Sequence, residues 1–296
     1  MKRISLVLVL ALFFSILVSG AVEANMIEVR GSDTQVNLVS NFAEAYMENN
    51  PEVMISVTGG GSSTGISGLI NGSIDLANSS REISESELEQ ARERGVEPTR
   101  IIIALDGLSV ITHPDNPVEE MTLAEIGDIF RGDITNWADI GGNDQEINLY
   151  GRQSNSGTYV YFRENVVKDD FSDAKMRMNG NAQIVEGVKS DSSAIGYVGV
   201  GYAVEGGRVA DGLQMISVAV EEGEPFVTPL DPENVAEGLY PLARPLHHYS
   251  DGVPRGTLAD YIDFVLSDEG QEIAVESGFY PITEEFENIN RENLQE

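Results

Sequence analysis

Residues 59–65 read Gly-Gly-Gly-Ser-Ser-Thr-Gly. Before them, residues 53–57 alternate apolar and polar side chains as a strand does. After them, Ile66, Leu69 and Ile70 fall at helical spacing until Asn71-Gly72 stops the run. Glycines between a strand and a helix let the backbone approach a ligand closely, and the first N–H groups of the helix carry partial positive charge. Ser62, Ser63 and Thr64 add hydroxyls at that helix start. A nucleotide-binding P-loop would place a lysine after the glycines, and none is present. The loop therefore predicts a small anion rather than a nucleotide.

Two other stretches repeat this arrangement. Residues 26–30 alternate as a strand into Gly31-Ser32-Asp33-Thr34, after which Val36, Val39, Phe42, Ala43 and Tyr46 recur at helical spacing up to Asn50-Pro51. Ser, Asp and Thr are common helix caps, so capping is the ordinary reading of Ser32, Asp33 and Thr34. Residues 147–150 then read as a strand feeding Gly151-Arg152 and a third helix start at Ser156-Gly157-Thr158. A short strand at residues 74–77 leads to Asn78-Ser79-Ser80-Arg81, placing hydroxyls and a guanidinium at a strand's carboxyl end, the edge where open α/β sheets collect ligands. Taken together, the three glycine and hydroxyl turns predict one anion site.

The chain has 296 residues and 41% apolar composition, enough for one or two lobes with cores of their own. It has no cysteine, which excludes disulfides, thiolate metal sites and cysteine nucleophiles. Its three histidines, His113, His247 and His248, are badly spaced for zinc, and no cofactor is expected. Lys2 and Arg3, the apolar run at residues 4–18 and the small-residue stretch Ala21-Val22-Glu23-Ala24 predict a signal peptide over residues 1–24, cleaved after Ala24, and a secreted or extracytoplasmic protein. The formal charge of −31 becomes −32 when Lys2, Arg3 and Glu23 leave with it. Such a chain repels nucleic acid and anionic membranes. It need not repel a small anion, because salt screens distant surface charge within about 10 Å while helix ends and guanidinium groups act at contact range. The acidity is read as a solvation device.

GSDT at residues 31–34, GGGSSTG at 59–65, SSRE at 79–82, IALDGLSVITHPDNPV at 103–118, IFRGDITNWADIGG at 129–142 and RQSNSGTYVYF at 152–162 stand in one order. That ordered set resembles the periplasmic phosphate-binding proteins of ABC transporters, over residues 27–282. The resemblance implies an α/β fold of the two-lobed type II periplasmic binding protein kind, each lobe a mixed sheet flanked by helices and the ligand in a cleft between lobes. It implies a monomer that takes inorganic phosphate, hands it to ABC transporter permease subunits and is not an enzyme. The site residues it implies are Ser32, Asp33, Thr34, Ser62, Ser63, Thr64, Ser80, Arg152, Ser156, Gly157 and Thr158. Arg152 suits the role because a planar guanidinium grips two oxygens of a tetrahedral anion.

Residues 25–108 and 246–284 are expected to form the first lobe and residues 109–245 the second, with a frayed or loosely helical polar tail at 285–296. The chain would cross between lobes where Asp106-Gly107 breaks an apolar run, and return near residues 242–249, making His247 and His248 structural. Thr122 with Glu125 predicts a capping box at the head of a helix, and further helices are expected over residues 181–189, around Leu258, Tyr261, Ile262 and Val265, and around 270–272. Trp137 is read as packing. Residues 203–240 are crowded with loop signals.

Phosphate near neutral pH keeps a proton that sulfate lacks, so a carboxylate in the site can accept from the first and repel the second. Some members of the resembling family carry an aspartate where this chain has Ser80, so Asp33 is the carboxylate expected to accept instead. The alternatives are a binding protein for sulfate, molybdate or tungstate, and a secreted hydrolase pairing a serine with His247 or His248. No serine lies in a G-x-S-x-G elbow, which disfavours the hydrolase.

Overall fold

The computed structural model describes residues 25–295, so the signal peptide expected over residues 1–24 lies outside the described residues. Two five-stranded sheets carry the fold. The first has the order β2-β1-β3-β14-β4, built from β1 (Asn25–Gly31), β2 (Val53–Thr58), β3 (Leu76–Ser79), β4 (Pro98–Gly107) and β14 (Ala243–Asp251). β1, β2 and β3 are parallel to one another, and β14 runs antiparallel to both β3 and β4. The second has the order β12-β5-β9-β7-β8, from β5 (Ser109–Thr112), β7 (Asn148–Arg152), β8 (Met176–Met178), β9 (Ala194–Val198) and β12 (Gln214–Met215). Here β7, β8 and β9 are parallel and β5 is antiparallel to β9. Two small sheets pair β6 (Glu120–Thr122) with β13 (Ser217–Ala219), and β10 (Val204–Glu205) with β11 (Arg208–Val209).

Helices connect the parallel strands because such strands need a crossover. α1 (Val36–Asn49) buries Leu38, Val39, Phe42, Ala43 and Tyr46, the apolar stripe visible in the sequence. α2 (Ser62–Ile70) follows the glycine turn, and α3 (Glu85–Arg94), which sequence periodicity missed, opens on a complete capping box between Ser84 and Glu87. Only Ala91 of α3 is buried, so it carried almost no hydrophobic period to read. α4 (Leu123–Arg131) opens on the expected box between Thr122 and Glu125. α5 (Gly157–Phe162), α6 (Asn181–Lys189), α7 (Val200–Ala203) and α8 (Pro232–Ala236) belong to the second half, and α9 (Thr257–Leu266) and α10 (Asp268–Glu276) return to the first. Trp137 is buried, and its ring N–H donates to the Ser193 carbonyl at 2.9 Å.

Asp106 and Gly107 end β4 of the first sheet, where Asp106 pairs across with Arg244 of β14, and β5 of the second sheet begins at Ser109. One expectation needs correction. The C-terminal stretch, expected to be frayed or loosely helical, forms a docked helix, α11 (Glu284–Asn293). Its Asn290 is 2% exposed; the side chain donates to the Ile102 carbonyl and accepts from the Ile102 N–H, both at 2.7 Å. Asn293 donates to the Arg100 carbonyl at 2.9 Å. β4 is an edge strand, and α11 supplies partners that its outer backbone groups lack. Phe286 and Leu294 also pack against the core, but three apolar residues in a charged stretch, Phe286, Ile289 and Leu294, did not announce this docking.

His247 and His248 sit on β14 with 1% and 0% exposure. Nδ1 of His247 and both ring nitrogens of His248 have no hydrogen-bond partner among the described residues. Burial holds both imidazoles down to about 3, with repulsion from Arg100 and Arg244 adding to it at His247. Below about 6.5, the ordinary histidine value, the unfolded chain takes up protons that the folded chain refuses. Stability is therefore expected to fall as pH drops from about 6.5 towards 3, by up to about 1.4 kcal/mol per pH unit for each histidine. Urea unfolding midpoints across that range check this, and replacing His248 with Asn should flatten the slope relative to the parent.

Candidate functional site

The carboxyl ends of β1, β3 and β7 meet in one place, fed by the turns that the glycines shape. Gly31 ends β1, and Ser32 follows with its N–H donating to the Asn78 carbonyl at 2.9 Å. Ser32 stands before a short 3-10 turn, Asp33–Gln35, but makes no side-chain cap. Its hydroxyl donates instead to Ser80 Oγ at 3.0 Å. Capping, the ordinary reading from sequence, is thus displaced by a tertiary partner. Ser80 lies just past β3, and Thr34 Oγ1 lies 2.8 Å from Thr158 Oγ1. Ser62 and Thr158 each stand 3.4 Å from Ser80 Oγ, and the Ser80 N–H donates to Ser62 Oγ at 3.2 Å. Ser32, Thr34, Ser62, Ser80 and Thr158 are all 2% exposed or less. Five hydroxyls drawn from four separate segments, after β1, at the start of α2, after β3 and at the start of α5, thus form one buried cluster.

Gly157 lies against this cluster. A Cβ there would stand 2.3 Å from Ser62 Oγ and 2.8 Å from Ser80 Oγ, so the third turn reaches the cluster only because its second residue has no side chain. Gly61 acts at the other contact: its φ of 92° is a left-handed conformation, and a Cβ there would meet the Asn155 carbonyl at 2.6 Å. That carbonyl accepts from the Ser63 N–H at 3.1 Å, and the Asn155 side chain donates to the Gly60 carbonyl at 2.9 Å. The turn of the first sheet and the turn of the second are thereby joined backbone to backbone.

Arg152 ends β7 and is 1% exposed. Its Nη2 donates to Asp33 Oδ2 and, at 3.0 Å, to the Asn179 carbonyl. Nε and Nη1 have no hydrogen-bond partner among the described residues. A buried guanidinium with unmatched N–H groups is costly unless something accepts from them. The backbone N–H of Arg152 donates to Tyr197 Oη at 3.1 Å, and the Lys175 ammonium donates to the Arg152 carbonyl at 3.0 Å. Burial, with Arg177 nearby, pulls Lys175 down to about 8. Asp33 Oδ1 accepts from the Gly60 N–H at 3.0 Å. Tyr202 adds a bond from its hydroxyl to the Asp33 carbonyl at 2.8 Å.

Of the eleven residues expected at the site, Ser32, Asp33, Thr34, Ser62, Ser80, Arg152, Gly157 and Thr158 come together. Ser63, Thr64 and Ser156 are engaged elsewhere through their side chains. Ser63 Oγ accepts from Arg81 at 3.1 Å, Thr64 donates to the Gly60 carbonyl at 2.8 Å, and Ser156 caps α5 by accepting from the Tyr159 N–H at 3.4 Å. Sequence reasoning missed Arg244, whose Nη2 donates to Thr158 Oγ1 and whose Nη1 donates to the Ser80 carbonyl, both at 3.0 Å. It lies in no glycine turn, and its only sequence signal is that it is one of 18 lysines and arginines in an acidic chain. Chemically the arrangement offers hydroxyls, helix-start N–H groups and a guanidinium within a water-poor enclosure. It matches an oxyanion. Among the described residues no group of acidic and histidine side chains is arranged to hold a metal.

A hydroxyl-and-guanidinium cluster at the carboxyl ends of strands from two α/β sheets is the architecture of a two-lobed solute-binding fold, and the model of the PBP superfamily domain matches residues 19–269. The chain is 32% identical over 282 residues to the phosphate-binding protein PstS of Pseudomonas aeruginosa, a match covering 89% of this chain and 85% of that one. It resembles a phosphate ABC transporter substrate-binding protein of Clostridium perfringens solved with bound phosphate, at 30% identity and a TM-score of 0.77, covering 88% of this chain and 100% of that one. An ABC-type phosphate transport receptor of Vibrio cholerae matches with 27% identity and a TM-score of 0.68, over 86% of this chain and 99% of the other. The chain belongs to the PBP superfamily and, within it, to the family of PstS proteins.

Gly157→Ala tests the closeness of the third turn. The added methyl is expected to push Ser62 and Ser80 away from Thr158, weakening anion binding at least tenfold while lowering stability by about 1–3 kcal/mol. Calorimetric titration alongside thermal unfolding checks both.

Proposed function

We propose that the protein is an extracytoplasmic phosphate-binding protein that captures inorganic phosphate in this cage and delivers it to the permease of an ABC transporter. One observation carries the reading: Arg152 is buried, held on one side by Asp33, and has two guanidinium nitrogens, Nε and Nη1, without a partner among the described residues, beside five clustered hydroxyls. An oxyanion leaving water needs a donor for each oxygen. The backbone N–H groups at the start of α5, the hydroxyls of Ser62, Ser80 and Thr158, and the free edge of Arg152 supply them, while Ser32 gives its proton to Ser80, Thr34 pairs with Thr158 and Ser63 gives its N–H to the Asn155 carbonyl. The donors come from both sheets, so only their joint approach completes the cage. Kinship with proteins described as phosphate-binding supports the choice of anion.

In this reading Asp33 has two tasks. It fixes Arg152 and brings a carboxylate to the rim of the site, where it accepts the proton that phosphate keeps near neutral pH. Hydrolysis finds no support in the geometry, since His247 and His248 are buried and held neutral far below their usual range. Among the described residues no helix is long and apolar enough to cross a membrane.

Isothermal titration with phosphate, sulfate and molybdate tests the assignment: phosphate should bind tightly and in a one-to-one ratio, and preference for either competitor would replace it. Asp33→Asn removes the ion pair with Arg152 and the acceptor together. Phosphate affinity is expected to fall roughly ten- to a hundredfold, with sulfate gaining ground relative to phosphate. Unchanged affinity and selectivity in the same titrations would remove Asp33 from its role.

A further inference from the structure

Arg244 and Asp106 form an ion pair that the glycine turns do not account for. They face each other across β14 and β4, the strands that lead into and out of the second half of the chain. Their side chains are 2% and 0% exposed. Arg244 Nε and Nη2 both donate to Asp106 Oδ2, at 3.0 and 2.8 Å, and Asp106 Oδ1 accepts from the Val200 N–H at 2.9 Å. The remaining reach of Arg244 goes to the site, to the Ser80 carbonyl and the Thr158 hydroxyl. The guanidinium also lies over the Tyr161 ring, 5.0 Å from its centroid.

We infer that Arg244 is a positioning residue of the oxyanion cage, which fixes the direction of the Thr158 hydroxyl so that this group donates to the ligand and does not accept from it. A guanidinium has only donors, so Thr158 Oγ1 accepts from Arg244. A hydroxyl oxygen has two lone pairs, and with the second taken by the Thr34 hydroxyl across their 2.8 Å contact, the Thr158 proton is left to point onward. The same polarity repeats around the cluster. Ser62 Oγ accepts from the Ser80 N–H, and Ser80 Oγ accepts from Ser32, so each of these hydroxyls also has a protein donor behind it. Asp106 balances the charge of Arg244, so Arg244 orients a donor without acting as a second cationic clamp. With Asp33 balancing Arg152, the two guanidinium groups and two carboxylates around the cage sum to zero formal charge. Discrimination then rests on which ligand oxygens carry protons.

This rests on the phosphate reading, and it predicts how affinity depends on pH. A cage whose hydroxyls donate and whose one rim acceptor is Asp33 suits phosphate with a single proton. Affinity should therefore rise as pH passes upward through the second ionisation of phosphate. Lys175 also titrates in this region, at about 8, but it is common to the parent and the variants and cancels in their comparison.

Arg244→Lys keeps the charge, but a compact ammonium cannot hold Asp106, the Ser80 carbonyl and Thr158 at once. Thr158 is then free to turn and accept a second proton. Isothermal titration of phosphate at pH 6, 7 and 8 should show affinity reduced about tenfold at the highest pH, with the rise from pH 6 to 8 flattened. In a Thr158→Val background the same change should leave the pH dependence unaltered, because the group through which Arg244 acts is gone. The double variant Arg244→Met with Asp106→Asn, which leaves no buried charge unmatched, should flatten the profile as Arg244→Lys does and keeps the test open if the single variant does not fold. A parallel profile, weaker by one factor at every pH, would assign Arg244 a structural role only and overturn the inference. Failure of the parent protein to bind phosphate would instead remove the functional reading beneath it.

Discussion

The ion pair between Arg152 and Asp33 is the contact on which the rest of the site depends. Arg152 closes β7 of the second sheet, and Asp33 follows β1 of the first. A guanidinium buried to 1% exposure cannot sit there without acceptors, and Asp33 with the Asn179 carbonyl supplies only part of what it needs. The pair draws the two sheets together and leaves the other side of the guanidinium to a ligand. Its surroundings are arranged to keep it in place: Gly60 donates to Asp33 from below, Tyr202 bonds its carbonyl, and Tyr197 and Lys175 grip the Arg152 backbone.

Binding an anion with a chain of formal charge −31 becomes intelligible once charge is located rather than summed. The surface charge stands in water, where its field is screened within about 10 Å. In the cage two arginines are each matched by an aspartate, so a ligand meets oriented hydroxyl and amide dipoles in a desolvated space where such dipoles act strongly. The long β4 and β14 pair, which joins the two halves, carries Arg244 opposite Asp106 one step from its end at Ala243 and Gly107. The same strands that carry the chain between sheets thereby set the proton arrangement at the site.

How much of this could be read beforehand follows from physical range. The strand, turn and helix units around residues 31–34, 59–65 and 152–158 were legible because period, glycine and hydroxyl signals lie within a few neighbouring residues. The capping box of Thr122 with Glu125 was legible for the same reason. The docking of α11 through Asn290 was not, because a polar side chain bonded to the backbone of a distant edge strand leaves no periodic trace. Helix α3 was missed because it buries Ala91 alone.

The sequence by itself determined an α/β chain with three glycine and hydroxyl turns suited to an anion, and it excluded thiol chemistry through the absence of cysteine. Tertiary structure decided which hydroxyls share one enclosure. It turned Ser63, Thr64 and Ser156 to bonds of their own, gave Ser32 a partner 48 positions away, and brought Arg244 of β14 onto Thr158 of α5. The reason is physical: local signals fix how a strand meets a helix, whereas a desolvated cage is made of contacts between segments far apart in the chain, whose distances only packing sets.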